Sequence, residues 1–331
     1  MTAVLVTGGF GAIGSFVVRR LVHDGHDVTV FSRHESWALV PDLRGQLRHV
    51  AGDVQDAARL AEAVRDHGIT RIIHLAAALG GVLEQDPPVG YRVNVLGSMN
   101  VFDVAREHGV ERVVFTSSKA VYGALRGVHA APTYEPVTED YAGQTSNVYG
   151  ATKKALEDAA YHYRRLFGLD IIALRLGSTF GPGKGRPGSH VGYPGLKSRI
   201  IDAALAGEEF AIPWADVRDD IVYNRDVAKG AVLACFAPRS AHWQFNIATG
   251  ALTSIRDYAS EVMRLVPAHR LSFEATPRPA PGNVTGILSI ERARAELGYE
   301  PDFPGASAVG DYVSSLQSVL RAETPTTTLS S

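Results

Sequence analysis

The sequence predicts an α/β protein: a doubly wound parallel sheet with helices on both faces, followed by a smaller, discontinuous substrate-binding domain. Three observations carry this reading. Short apolar, β-branched runs alternate with helical patterns through the first half of the chain, a glycine-rich turn joins the first run to the first helix, and the alternation breaks down after Leu176. Apolar runs bounded by Gly, Asp or Ser are the pattern of buried parallel strands, and their alternation with helices places a helix layer on each face.

In chain order, strands are expected at Ala3–Thr7 and Asp27–Phe31, just before Gly52-Asp53-Val54, and at Arg71–Leu75, Glu111–Thr116 and Asp170–Leu176. Between them, Val17, Val18, Leu21 and Val22 share one helical face, as do Leu60, Ala61 and Val64. A third helix is expected over Tyr91–His108, and a fourth over Asn147–Phe167, stopped by Gly168. The stretch Gly177–Gly195 holds seven glycines and three prolines, which predicts a loop without regular elements. Helices follow near Leu196–Ala206, Asn224–Phe236 and Ser254–Leu265, with a strand at Gln244–Ala248 returning to the main sheet. Pro277–Gly282 reads as another loop and Thr324–Ser331 as a polar tail. The expected division is a nucleotide-binding domain of residues 1–177 plus about 224–250, a substrate domain of 178–223 and 251–323, and a tail of 324–331.

Composition narrows the function. The 331 residues are 45% apolar and 21% charged, with a formal charge of −2 and no long run of either sign, so a nucleic-acid partner is not expected. The single cysteine, Cys235, lies in an apolar helical stretch, rules out a disulfide within the chain and reads as a core thiol. No stretch approaches the roughly 18 apolar residues of a membrane span, and MTAVLVTGG lacks the charge and cleavage pattern of a leader, so a cytoplasmic setting is expected. Twelve histidines are scattered without metal-ligand spacing, and no metal is expected.

The chemistry is concentrated in two places. Gly8, Gly11 and Gly14 of Thr7-Gly8-Gly9-Phe10-Gly11-Ala12-Ile13-Gly14 recur every third residue between the first strand and first helix. Such glycines permit a tight turn, a close approach of backbone to a pyrophosphate and close packing of helix on strand, while the helix N-terminus offers amides to the phosphates. The next strand ends in Phe31-Ser32-Arg33-His34, without the carboxylate that would bond the ribose hydroxyls of NAD. Ser32 and Arg33 therefore favour NADP(H), with NAD(H) possible; the competing reading makes Arg33 a solvated loop residue. Asp53 either accepts from the adenine amino group or caps the following helix. The second place is Tyr149-Gly150-Ala151-Thr152-Lys153, which sets Tyr149 and Lys153 on one helical face. An ammonium about 4 Å from a phenol is worth up to about three pKa units, enough to make tyrosine an acid/base. Thr116-Ser117-Ser118 ends a parallel strand, where ligands bind in this architecture, and a hydroxyl there can hold the substrate oxygen.

With these motifs the sequence resembles the extended short-chain dehydrogenase/reductases, in particular their NAD(P)-dependent sugar-nucleotide epimerase/dehydratase branch. The resemblance runs through the glycine turn, His74-Leu75-Ala76-Ala77, Asn94-Val95-Leu96-Gly97, Ser117-Ser118-Lys119-Ala120-Val121-Tyr122-Gly123, Tyr149…Lys153, Arg175…Phe180-Gly181-Pro182, Asp226-Val227-Ala228 and Glu296-Leu297-Gly298-Tyr299. It implies a Rossmann domain, a homodimer through helices of that domain, and Ser118, Tyr149 and Lys153 as the catalytic triad. It also implies a cofactor channel lined by Ala12, Ile13, Val54, Leu75, Ala76, Ala77 and Thr116, with Asn94 supporting it. Two positions bear on the substrate. Ser178 stands where such enzymes usually carry an asparagine, and Arg218 either binds a phosphate or pairs with Asp216 or Asp220. Lys119-Ala120 replaces the acidic pair of a 4,6-dehydratase, which disfavours dehydration. Trp214 and His190 either shape the substrate pocket or pack, and His74 reads as structural. The expected activity is hydride transfer at a secondary alcohol or ketone carbon of a sugar-like or other polar small molecule. The alternatives are a 4-epimerase with retained NAD and a non-catalytic dinucleotide sensor, against which the intact triad argues.

Overall fold

The computed structural model describes residues 1–79, 82–183, 193–276 and 285–323. The expected loop Pro277–Gly282, His190 and the tail Thr324–Ser331 lie outside these residues. The first half runs β1 (Ala3–Thr7), α1 (Gly14–His23), β2 (Asp27–Ser32), β3 (Arg48–Ala51), α2 (Ala57–Asp66), β4 (Arg71–His74), the one-turn helices α3 (Val82–Gln85) and α4 (Pro87–Gly90), α5 (Gly97–Glu107), β5 (Arg112–Ser118), α6 (Val148–Phe167) and β6 (Ile171–Leu176). The second half adds β7 (Ser178–Phe180), α7 (Tyr193–Ala206), β8 (Glu209–Ile212), β9 (Arg218–Asp219), β10 (Ile221–Tyr223), α8 (Asn224–Phe236), β11 (Gln244–Ile247), β12 (Thr253–Ser254), α9 (Ile255–Leu265), β13 (Arg270–Phe273), α10 (Glu291–Leu297) and α11 (Val309–Glu323).

Seven strands form one parallel sheet in the order β11-β6-β5-β4-β1-β2-β3. The continuous apolar character of its strands follows from burial on both faces. Val4 and Val6 of β1 point into a core shared with Val17, Val18 and Leu21 of α1, while Leu5 points into the opposite core with Ile72 and Phe115. Each such side chain contributes about 1.5–3 kcal/mol on burial, which holds the two helix layers to the sheet. Asn147 caps α6, its Oδ1 accepting from the Gly150 amide at 2.7 Å, and the helix ends at Gly168 in a left-handed conformation.

Two expectations are corrected here. The stretch Gly177–Gly195 is not wholly irregular: β7 pairs in parallel with β10, and α7 begins at Tyr193. A three-residue strand is too short for a periodic signal, and its partner lies some forty residues onward, so the glycine and proline content of the segment hides it. The helix over Tyr91–His108 is not uniform either; Tyr91–Leu96 is a wider π turn that passes into α5. Such turns re-aim side chains and recur at functional sites, and this one carries Asn94. The pairs β8 with β13 and β9 with β12 were also unread in the sequence. A third apolar core, including Phe180, Ile200, Ile212, Tyr223, Tyr258 and Tyr312, sits beside the sheet on its carboxyl-end connections. Among the described residues, no helix is long and apolar enough to cross a membrane, and no three His, Cys, Asp or Glu side chains are grouped to hold a metal.

Candidate active site

The sheet changes winding direction between β1 and β4, and the carboxyl ends of these strands form the floor of the site. The Thr7 hydroxyl accepts from the amides of Leu75 and Ala76, each at 3.1 Å, and stands 2.7 Å from His74 Nδ1. His74 Nε2 lies 2.8 Å from the Ser98 hydroxyl, which donates to the Asn94 carbonyl at 2.8 Å. One proton per hydroxyl then assigns the imidazole proton to Nε2, with Thr7 donating to Nδ1. His74 is thus structural: burial, assisted by the charge of Lys153, pushes its pKa down to about 3. A histidine neutral when folded and able to protonate when unfolded stabilises the fold above its ordinary pKa near 6.5, and that stability is lost as pH falls towards 3. Melting temperature is expected to drop on acidification below pH 6, and His74→Asn to flatten that slope; parallel slopes would contradict the assignment.

The turn after β1 makes a cradle that side chains would fill. Gly8 has φ +70°, and a Cβ there would lie 3.1 Å from the Ala76 amide nitrogen; one on Gly14 would lie 2.3 Å from the Gly8 carbonyl oxygen. Gly11 closes the turn with its amide on Gly8 O at 2.9 Å, and no side chain caps α1 after Ile13. Asn224, absent from the sequence reading as a site residue, donates to Ala12 O at 3.2 Å while its buried Oδ1 has no partner. An uncapped helix start and a side-chain-free turn suit a dinucleotide pyrophosphate. At the ends of β2 and β3, Ser32 donates to His34 O at 2.9 Å, and Arg33, 69% exposed at its side chain, stands 4.0 Å from Asp53. Asp53 accepts from the Gln55 amide, and the cap of α2 is Asp56, which accepts from Arg59 N at 3.0 Å; the capping alternative for Asp53 is thereby excluded. Val54 is buried, its carbonyl held by Asn100 at 2.9 Å.

Leu75, Ala76 and Ala77 are half-buried along the loop leaving β4. Asn94 fixes that loop, accepting from Ala78 N at 2.7 Å and donating to Ala78 O at 3.0 Å; it is fully buried and shapes the channel instead of facing it. Ser118 ends β5, its hydroxyl accepting from Ala120 N at 3.2 Å, and is the side chain that opposes burial in setting the Tyr149 pKa. Lys153 Nζ donates to the Thr116 carbonyl at 2.6 Å and lies 5.7 Å from the centre of the Tyr149 ring. The three residues are brought together as expected, but the electrostatics differ. Burial raises Tyr149 to about 12 against the opposing effect of Ser118, and burial lowers Lys153 to about 8 against the charge of Glu157. The strong lysine effect on tyrosine expected from spacing alone does not operate here, because Lys153 is drawn onto Thr116.

Ser178 sits on β7 with its amide on Asp220 O at 2.9 Å, just beyond β6. Arg218 lies on β9, just before β10. It is exposed, and Asp216 pairs with Arg256 at 2.9 Å, while the next residue, Asp219, is buried and accepts from Lys119 Nζ at 2.5 Å, since successive strand residues face opposite ways. Trp214, with φ +56°, packs on the third core, and Cys235 is a buried thiol.

With this geometry in place, the sequence model of the NAD dependent epimerase/dehydratase family matches residues 4–248. The chain belongs to that family. It is 31% identical over 312 residues to the UDP-glucose 4-epimerase of Corynebacterium glutamicum, covering 90% of this chain and 91% of that one. It is 29% identical over 326 residues to the UDP-glucose 4-epimerase of Halalkalibacterium halodurans, covering 94% of each. The crystal structure of the Thermus thermophilus UDP-glucose 4-epimerase in complex with NAD superposes with a TM-score of 0.81 at 27% identity, covering 96% of this chain and 99% of that one. The family member described here is an enzyme of the extended short-chain dehydrogenase/reductase type, acting by hydride transfer with a nicotinamide dinucleotide.

Proposed function

We propose that the chain is a sugar-nucleotide 4-epimerase that retains NAD and oxidises and re-reduces one secondary alcohol carbon. The observation that carries this reading is the convergence of Ser118, Tyr149 and Lys153 at the carboxyl ends of β5 and α6's first turns, in a chain similar over nine-tenths of its length to UDP-glucose 4-epimerases. NAD, when bound, would supply the hydride acceptor and donor. Gly8, Gly11, Ala12, Ile13 and Gly14 would hold its pyrophosphate, and the channel of Val54, Leu75, Ala76, Ala77 and Thr116 its remaining length. Ser118 holds the reacting oxygen of the sugar by a hydrogen bond. Tyr149 takes the hydroxyl proton as the carbon is oxidised and returns it on reduction. Lys153 has three N–H donors, one engaged by Thr116, so the others are available to a ribose hydroxyl and to the tyrosine oxygen. Turned from the Thr116 carbonyl towards the phenol, Lys153 would oppose the burial that holds Tyr149 at about 12 and bring it towards its working range. The third core, within 178–223 and 251–323, would form the sugar-binding half, with Ser178 at its edge.

Incubation with UDP-galactose and no added dinucleotide is expected to form UDP-glucose, and native mass spectrometry to find NAD on the purified protein. A second reading, a net reductase using NADP(H), is favoured by Ser32 and the exposed Arg33 at the end of β2. An empty site with preference for NADPH over NADH would replace the first reading with the second.

The active form would be a cytoplasmic homodimer. Tyr91 and Leu96 on the π turn, and Tyr161, Leu166 and Phe167 on α6, are large apolar side chains left 44–61% exposed. Light scattering is expected to give twice the chain mass, and Leu96→Glu combined with Tyr161→Glu to give the monomer. A monomeric parent protein would refute the assembly.

A further inference from the structure

We propose that Glu157 is the positioning residue of this site: its carboxylate ties the strand that ends in Ser118 to the helix that carries Tyr149 and Lys153, and supplies the negative charge that Lys153 faces. The inference rests on the catalytic assignment of those three residues.

Glu157 lies four residues beyond Lys153 on α6, hence on the same face one turn along. It is 1% exposed and its two oxygens accept four hydrogen bonds. Ser117 Oγ donates at 2.6 Å, Arg175 Nε at 2.9 Å, Arg175 Nη2 at 2.6 Å and Gln244 Nε2 at 2.7 Å. These donors come from β5, β6 and β11, three adjacent strands, so one side chain of α6 registers the helix against half the sheet. The consequence for the site is local. Lys153 binds the carbonyl of Thr116, Glu157 binds the hydroxyl of Ser117, and the next residue is Ser118. Two consecutive strand residues are thus gripped from one helix face immediately before the hydroxyl that meets Tyr149.

Charge supplies the second half of the argument. A buried ion pair is often no more stabilising than apolar residues of the same volume, so stability alone does not explain Glu157 with Arg175 at this point. Of the ionisable groups around Lys153, Tyr149 shares its helix and His74 faces it from β4, held neutral. On the turn after β5, Lys119 is paired with Asp219 and Tyr122 bonds to Asn246. Arg175 on β6 reaches only through Glu157, and Glu84 on α3 is engaged by the Val148 amide. The π turn adds Tyr91 and Arg92, and α5 adds Asp103, Arg106 and Glu107, with Asp103 bonded to Tyr163 and both Asp103 and Glu107 paired with Arg106. Glu157 is the charge that raises the Lys153 pKa against burial, which brings it down to about 8.

The test compares the parent protein with Glu157→Gln, Glu157→Asp and Lys153→Met, measuring the pH dependence of kcat and, separately, of NAD affinity by calorimetry, with melting temperatures recorded. Glu157→Gln is expected to move the alkaline limb of both profiles to lower pH by about one unit or more, because loss of the facing charge eases deprotonation of Lys153. Lys153→Met assigns that limb by abolishing it. Glu157→Asp keeps the charge but withdraws from Ser117, so the limb stays in place while plateau kcat falls about tenfold or more. If Glu157→Gln does not fold, the double variant Glu157→Gln with Arg175→Gln leaves no unpaired buried charge and is expected to show the same shift. Profiles that coincide with the parent's, with only the melting temperature lowered, would reduce Glu157 to a brace and overturn the proposal. Failure of the parent protein to turn over any sugar nucleotide would instead sink the proposed function, and the pH dependence of NAD affinity would still report on Glu157.

Discussion

Tyr149→Phe is expected to reduce turnover by about 10²–10⁴-fold while leaving NAD affinity intact, since general acid–base transfer by one positioned side chain is worth about that much. The substitution removes only the hydroxyl. The ring stays half-buried on α6, Lys153 stays on the Thr116 carbonyl, and the glycine turn proposed to cradle the dinucleotide is untouched. Ser118→Ala is expected to cost less, because in the proposed mechanism Ser118 would position the oxygen without itself holding the exchanged proton. The decisive measurement is a single-turnover rate paired with a calorimetric NAD titration. Undiminished turnover in Tyr149→Phe would remove the tyrosine from the mechanism, and loss of both rate and affinity would mean that its hydroxyl serves cofactor binding instead.

Gly14→Ala is expected to abolish dinucleotide binding and to destabilise the fold by about 1–3 kcal/mol, the usual cost of overpacking. A Cβ on Gly14 would sit 2.3 Å from the Gly8 carbonyl oxygen and 2.7 Å from the Gly9 Cα, and both are backbone atoms that cannot rotate away. Relief requires α1 to lift from the turn, which moves the amides at its start away from the phosphates. Gly310→Ala in α11 is the control, because its Cβ would meet only Leu265 Cδ1, at 3.9 Å. There the substitution is expected to stabilise by about 0.5–1 kcal/mol through helix propensity and to leave NAD binding unchanged. Calorimetric titration with thermal melts of both variants checks the pair; NAD affinity retained in Gly14→Ala would refute the close packing of helix on turn.

The glycine turn, the strand ends and the Tyr149–Lys153 spacing were legible because each is local. A parallel strand buried on both faces must be apolar throughout, and a helix must return every fourth residue to one face, so Ala3–Thr7 and Asn147–Phe167 show their structure in their own letters. Glu157 obeyed the same rule, four residues after Lys153, yet carried no signal as a site residue, because its partners Ser117, Arg175 and Gln244 come from three separate strands. Asn224 was read as the start of a helix, and only folding sets its amide over Ala12, more than two hundred residues earlier. Strand alternation likewise leaves Arg218 exposed and turns its neighbour Asp219 inward onto Lys119, a pairing a hundred residues apart in sequence.

By itself, then, the sequence determined the doubly wound sheet, the glycine turn after β1 and the shared helical face of Tyr149 and Lys153, because periodicity and short spacing encode geometry within one element. Tertiary structure decided the short strands of the second half, the inward pairing of Asp219 with Lys119, the neutral His74 bridge and the shifted pKa values of Tyr149 and Lys153. Those depend on which groups from distant strands lie within a few ångströms and on how much water burial removes, and neither is a property of any segment alone.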